Sequence, residues 1–362
     1  MDNRARKFIR ILILLICLYC FLLSINVLND SLKLLGKGFV TNLISITSNP
    51  FLSLIIGLFT TAVVQSSSAT TSIVVGLVAS GTLTITNAIP IIMGANIGTT
   101  VTNTLVSLGH ITRKPEFQKA FPAAVVHDFF NILTVLILFP LEINFHFLRI
   151  ISAFLTKVFA GFGGMNIASP LKFITAPVSA QIVSLFGNKG VIVVVFSLII
   201  LFIALKFLVD VTRAITTSKL ELVIDRYLFG RAIQSLLVGL IVTSIIQSSS
   251  ITTSLVVPLV GAGIVSIYKV FPYMMGANIG TTVTAILASL AIGNALGIQI
   301  AFAHFAFNLI GTVIWYPARI VPINLALLFG GFAGKRRFLA ILYLIVVFYI
   351  VPIIIFLIAR LK

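Results

Sequence analysis

Two short polar runs carry most of the chemistry available to this sequence. Gln65-Ser66-Ser67-Ser68 and Gln247-Ser248-Ser249-Ser250 each set one amide beside three hydroxyls, and Thr-Thr-Ser follows one residue later in both places (Thr70–Ser72 and Thr252–Ser254). A second pair, Gly94–Thr102 and Gly276–Thr284, reads Gly-Ala-Asn-Ile-Gly-Thr-Thr-Val-Thr without a change. None of the four runs holds a charged residue. Hydroxyls, side-chain amides and backbone N–H groups are the donors that hold an oxyanion, and their oxygens suit a hard cation, which prefers carboxylate, carbonyl and hydroxyl ligands. Asp128, with Asn131 three residues on and on the same helical face, adds a carboxylate to that set.

Other chemistries fit poorly. Asp128 follows His127 directly, so the two point to different helix faces. No Gly-x-Ser-x-Gly elbow accompanies the serines, which argues against a hydrolase. His127 and His304 read first as hydrogen-bonded packing residues. Cys17 and Cys20, the two cysteines, lie in one apolar run and support neither a disulfide framework nor a metal site.

The elements that must position these groups belong in a bilayer. The 362 residues are 59% hydrophobic and 9% charged, with a mean hydropathy of +1.19. A water-soluble domain is about a quarter charged, so a solvated enzyme is excluded. The net charge of +17 comes from Lys and Arg scattered between apolar runs, without a basic helix carrying interleaved aromatics. No nucleic-acid partner is expected. The first apolar run continues to about Leu28 with no small-residue cleavage site and reads as a retained helix.

The chain is duplicated. Gly57–Leu108 aligns with Gly239–Leu290 at a constant offset of 182 residues, without a gap, and more than half the positions are identical. With a five-residue shift, His127 and Asn131 recur as His304 and Asn308. Phe51–Val64 is about 21 Å long as a helix, too short for a core of roughly 30 Å. A re-entrant hairpin with Gln65–Ser68 at its tip fits that length. Gly94 and Gly98 are poor helix formers, so a span unwound at Gly94–Gly98 is expected, with its counterpart in the second copy. Short or Gly-interrupted apolar segments at matching places in two halves point to a transporter's binding site; the competing explanation is small residues that pack helices.

The crossings expected are Phe8–Leu28, a hairpin at Pro50–Ser80, Thr84–Leu108, Ala120–Pro140, Val191–Val209, a hairpin at Arg231–Ala262, Ser266–Leu290, Gly297–Tyr316 and Phe338–Leu357. Three full spans separate the hairpins, which therefore enter from opposite sides. With the N-terminus inside, the cytoplasmic segments collect the larger share of the 25 Lys and Arg, as the positive-inside rule requires. The expected fold is an all-α polytopic membrane protein of two inverted-topology repeats, about 8–164 and 191–337, each with a re-entrant hairpin and an unwound helix, plus an extra C-terminal helix at 338–357. Leu141–Gly164 and Ala318–Gly334 read as interfacial helices beside the core. Of eight Asp and Glu, Asp128 alone sits in mid-span. A bare carboxylate there costs at least about 2.5–3.5 kcal/mol, so it needs a cation, a proton or a watery cavity.

These motifs, with Val126-His127-Asp128-Phe129-Phe130-Asn131, resemble the type II sodium–phosphate cotransporters, solute carrier family 34 and its bacterial relatives, over roughly residues 30–320. The resemblance implies Na+-driven uptake of inorganic phosphate across the cell (inner) membrane, hairpin tips meeting near the midplane, and no enzymatic activity. Electrogenic animal members carry Asp where Asp128 stands and electroneutral ones carry Gly, so the resemblance implies electrogenic transport of divalent phosphate with three Na+. Ala277 departs from the pattern by standing where many animal members have Ser, and the outer segment lacks the family's disulfide cysteines.

On that footing phosphate is expected at Ser66, Ser67, Ser68, Ser248, Ser249 and Ser250, which cap the returning helices and face the anion, and at Asn96 and Asn278. Sodium is expected at Gln247, Thr281 and Thr284, and at Asp128 with Asn131. Gln65, Thr99 and Thr102 are pseudo-symmetric equivalents that serve either ion. The motifs hold no basic side chain, so Na+ itself supplies the charge compensation, without a further cofactor. Expected partners are phosphate, Na+ and lipid, with a homodimer as the candidate assembly. Two alternatives stay open: a sodium-coupled carrier of sulfate or arsenate, and a passive anion channel. Accumulation against a gradient, lost when choline replaces Na+, separates the channel from the carriers.

Overall fold

A computed structural model describes residues 3–162, 164–187, 189–228 and 231–360. Asp2 lies outside the described residues, as do the side chains of Glu221 and Asp225. The described chain is helical with no strand: α1 (Asn3–Lys33), α2 (Gly36–Thr47), α3 (Pro50–Val64), α4 (Ser67–Ala79), α5 (Ile85–Thr99), α6 (Val101–Leu108), α7 (Lys114–Phe145), α8 (Phe147–Gly161), α9 (Gly164–Leu185), α10 (Gly190–Leu228), α11 (Ala232–Ile246), α12 (Ser249–Gly261), α13 (Ile267–Ile292), α14 (Ala295–Trp315), α15 (Ile320–Lys335), α16 (Phe338–Ile345), a π turn (Val346–Ile350) and α17 (Val351–Arg360). Among the described residues, seven helices are long and apolar enough to cross a membrane, from Ile9–Lys33 to Phe338–Ala359, and they coincide with the seven full crossings read from the sequence. This is a multi-pass membrane protein.

Both hairpins form as their lengths require. Asn49 starts the first: its Oδ1 accepts from the N–H groups of Phe51 and Leu52, and Pro50 follows in the first turn, where its missing N–H costs nothing. The turn between α3 and α4 is made at Gln65, left-handed at φ 56°, and Ser66 then caps α4 by accepting from Ala69 N–H. The second hairpin starts differently, at Arg231, but repeats the turn: Gln247 sits at φ 60° and Ser248 accepts from Ile251 N–H. Matching threonines clip the arms together, Thr61 to Thr70 at 2.9 Å and Thr243 to Thr252 at 2.7 Å.

The hairpins enter from opposite ends of α7. The base of the first lies with the residues just past Phe145, since Asn294 Nδ2 donates to Ala79 O and Gln299 Nε2, one turn on, donates to Arg149 O. The base of the second lies at the start of α7, where Gly261 packs against Ala120 and the Glu116 carbonyl. This placement is consistent with the antiparallel arrangement that an odd number of intervening spans implies. The helix after each His-bearing span crosses to the other copy, α8 onto α14 and α15 onto α7, so neither copy closes its core alone. The segment 170–186, which the sequence left without a role, belongs to α9, held against α1 by Asn26 Nδ2 donating to Thr175 at 2.7 Å and Ser179 Oγ donating to Asp30 at 2.8 Å.

The expected unwinding at Gly94–Gly98 is not observed. α5 runs helical through both glycines, its ladder breaks only at Thr100, and α13 is continuous through Gly276 and Gly280. The glycines serve close packing instead. A Cβ on Gly94 would strike the Leu54 carbonyl, and one on Gly57 the Ile91 carbonyl; Gly276 and Gly239 stand in the same relation to Leu236 and Tyr273. Outer hairpin arm and following span touch backbone to backbone, the use membrane helices make of small residues spaced by four. Helix propensity pointed the wrong way because it takes no account of a neighbour at van der Waals contact.

Candidate functional site

The two tips meet. Ser68 Oγ donates to the Gln247 carbonyl at 3.1 Å and Ser250 Oγ donates to the Gln65 carbonyl at 3.4 Å. Such reciprocity is the signature of a local two-fold axis. Here the axis passes between residues 179 and 185 positions apart in one chain. Both tips hold non-glycine residues in the left-handed region, a strain that persists where the surroundings fix it and that concentrates at ligand sites. The N-termini of α4 and α12 also converge here. Each carries unsatisfied N–H groups and a partial positive charge, so the two repel unless something negative lies between them.

A cavity of about 340 Å³ opens at this junction, lined by Gln65, Ser66, Ser68, Thr102, Gln247, Ser248 and Ser250 with Phe202, Leu205, Lys206 and Asp210 of α10. Seven of the expected site residues are thus brought to one space. Ser67 and Ser249, buried in the first turns of their helices, are not among the lining residues. Nor are Thr99 and Thr281, whose hydroxyls bond the Ala95 and Ala277 carbonyls of their own helices. Thr284 reaches the tip at the limit of a hydrogen bond, 3.5 Å from Gln247 O.

Expected cation ligands also stand out by what they lack. Thr102 Oγ1, Gln247 Oε1 and Asp128 Oδ1 are buried oxygens with no hydrogen-bond partner. An orphaned buried polar group costs about 1–3 kcal/mol, and a hard cation is a partner that oxygen donors of this kind fit. Asp128 is fully buried, and its other oxygen accepts from Tyr343 OH at 2.8 Å and from Thr104 Oγ1 at 3.4 Å.

The asparagines are engaged differently. Asn278 Oδ1 lies 2.7 Å from His127 Nε2, and its Nδ2 donates to Asn131 Oδ1 at 3.0 Å; Asn131 Nδ2 donates to the Asn96 carbonyl at 2.8 Å. His127 Nδ1 lies 3.0 Å from Asn103 Nδ2, and Asn103 Oδ1 accepts from Thr253 Oγ1 at 2.9 Å. One neutral tautomer, protonated on Nε2, satisfies every member of this chain. The network ties α7 to both copies, in keeping with a packing histidine. The side chains of Asn131 and Asn278 are therefore bonded to protein, and Asn96 Nδ2 bonds its own Ile92 carbonyl at 2.8 Å. Asn103 has Ala285 as its repeat counterpart, and in the second copy both ring nitrogens of buried His304 and the Asn308 Oδ1 find no partner. The duplication is symmetric at the tips and asymmetric beneath them.

Sequence reasoning missed Lys206, Asp210 and Tyr343. Lys206 and Asp210, one helical turn apart and both exposed at the cavity, bring a basic group to a site expected to have none. Their spacing of four in an otherwise apolar span was a legible signal. Tyr343 lies 215 residues from Asp128, outside both repeats, and left no signal.

Known proteins sharpen these observations. The family model described as Na+/Pi-cotransporter matches residues 20–169 and 200–334. Sodium-dependent phosphate transport protein 2B of Homo sapiens is 34% identical over 446 residues, covering 96% of this chain and 65% of the relative. Sodium-dependent phosphate transport protein 2A of Rattus norvegicus is 32% identical over 430 residues, covering 97% of this chain and 68% of the relative. The chain thus spans just under two thirds of the length of the 2B relative. No solved structure matches.

Proposed function

We propose, for a chain that belongs to the Na+/Pi-cotransporter family, sodium-coupled secondary active import of inorganic phosphate across the cell membrane. The observation that carries this reading is the reciprocal meeting of two Gln-Ser-Ser-Ser tips at one hydroxyl-lined cavity. Phosphate is held by Ser66, Ser68, Ser248 and Ser250 and by first-turn N–H groups of α4 and α12, whose dipoles favour an anion. Gln247, Thr102 and Thr284 on one side and Asp128 on the other take Na+, and the orphaned oxygens of Gln247, Thr102 and Asp128 support that assignment. The anion binds weakly until the cations are seated, and by linkage each improves the other's affinity equally. Asp128 adds the negative charge that makes transport of divalent phosphate electrogenic.

The two repeats, about 8–164 and 191–337, sit in opposite orientation with the N-terminus cytoplasmic. On this topology the rim residues Lys206 and Asp210 lie about 24 Å and about 30 Å along α10 from its outer end, toward the cytoplasm, which supports an inward-facing state. Phosphate uptake into proteoliposomes under an imposed Na+ gradient and controlled voltage is the test. Accumulation against the phosphate gradient, abolished by choline in place of Na+ and not competed by sulfate, is expected. Equilibration without accumulation means a channel and overturns the reading.

A further inference from the structure

The C-terminal helix stands outside both repeats, yet its Tyr343 hydroxyl makes the shortest hydrogen bond to Asp128, 2.8 Å to Oδ2. The same helix reaches the first hairpin, where Tyr349 OH donates to the Ala62 carbonyl at 3.3 Å, one turn before the Gln65 tip. A local π turn at Val346–Ile350 separates α16 from α17. Tyr343 and Phe348, five residues apart, would stand about 140° from each other on an ideal α-helix of 3.6 residues per turn. Here their rings meet edge to face at 6.1 Å, and Phe348 is fully buried. The widened turn therefore carries Phe348 round to the protein side, where it packs against the ring that holds Asp128. π turns within α-helices are frequent at functional sites.

We propose that Tyr343 is a positioning residue for cation binding: its hydroxyl occupies Oδ2 of Asp128 and turns the unpartnered Oδ1 toward the ion, so that a helix outside the duplicated core sets the affinity of the Asp128 site. The inference rests on the sodium-coupled reading above. It needs no change in the tip cavity, because Tyr343 is not among the residues lining that space. Thr104, at 3.4 Å from the same oxygen, is too distant to hold the carboxylate alone, and the hydroxyl of Thr100, which also lies near the carboxylate, donates to the Ile97 carbonyl at 2.7 Å.

The test is Tyr343→Phe in purified protein, with Tyr349→Phe as the control that removes a hydroxyl of the same helix from a contact away from Asp128. Hydrogen bonds to charged groups are among the stronger ones in proteins, so half-saturating Na+ rises about tenfold or more in Tyr343→Phe. Half-saturating phosphate at saturating Na+ stays within about twofold, and Tyr349→Phe leaves both unmoved. The thermal stabilisation given by Na+ alone, without phosphate, shifts to higher Na+ by the same factor. That readout involves no transport, so it separates failure of this inference from failure of the transport reading. In an Asp128→Gly background Tyr343→Phe changes nothing further. An unchanged or improved Na+ affinity, equal shifts for Na+ and phosphate, or a shift that persists without Asp128 overturns the proposal.

Discussion

Asn96 and Asn278 occupy the same place in two identical nine-residue motifs, and truncating them should have very different consequences. Asn278→Ala removes the acceptor of His127 Nε2 at 2.7 Å and the donor to Asn131 Oδ1 at 3.0 Å. Both stranded groups belong to residues no more than 1% exposed, where water cannot replace the lost partner. At about 1–3 kcal/mol for each orphaned group the loss comes to about 2–6 kcal/mol. Asn96→Ala removes only a bond to the Ile92 carbonyl of its own helix, and the Asn96 carbonyl still accepts from Asn131. That loss is about 0.5–1.5 kcal/mol. Reversible unfolding in mixed micelles, followed by intrinsic fluorescence and repeated for each variant, measures the difference. Costs equal to within about 0.5 kcal/mol, or a larger cost at Asn96, would refute the asymmetric network.

Three further outcomes are expected. Asp128→Gly keeps Na+-dependent phosphate uptake but loses net charge movement in voltage-controlled vesicles; an unchanged current removes Asp128 from the cation path. Gly276→Ala is destabilising by at least about 1–3 kcal/mol, because its Cβ lands on the Leu236 backbone carbonyl; thermal unfolding that shows a gain, as helix propensity alone would give, overturns the close-packing role of this glycine. Lys206→Gln raises half-saturating phosphate a few-fold from the rim side and weakens its dependence on ionic strength, as loss of a steering charge does, while half-saturating Na+ is unaltered in the same flux assay.

Much of the architecture was legible because bilayer physics writes itself into composition. Apolar run lengths gave the seven crossings, the short arm Phe51–Val64 gave a hairpin, and the recurrence of Gln-Ser-Ser-Ser gave its partner. Parity of the intervening spans then placed the two on opposite sides. Local propensity failed at Gly94 and Gly276, since the sequence does not record that another helix lies against their backbones. It also spread the ligand role evenly over both copies of each motif.

By itself the sequence determined that two hydroxyl-rich tips exist on two copies of one motif, and that one carboxylate lies in mid-span among apolar residues. Those facts depend on chain-local quantities: hydrophobic length, periodicity and repetition. Only the tertiary structure decided which oxygens remain free. Asn278 is bonded to His127 and Asn131 of another helix where Asn96 bonds only its own, Lys206 comes to the cavity from α10, and Tyr343 reaches Asp128 from beyond the repeats. A hydrogen bond is satisfied or orphaned by whatever lies within about 3 Å, and in a folded chain that neighbour can be hundreds of residues away.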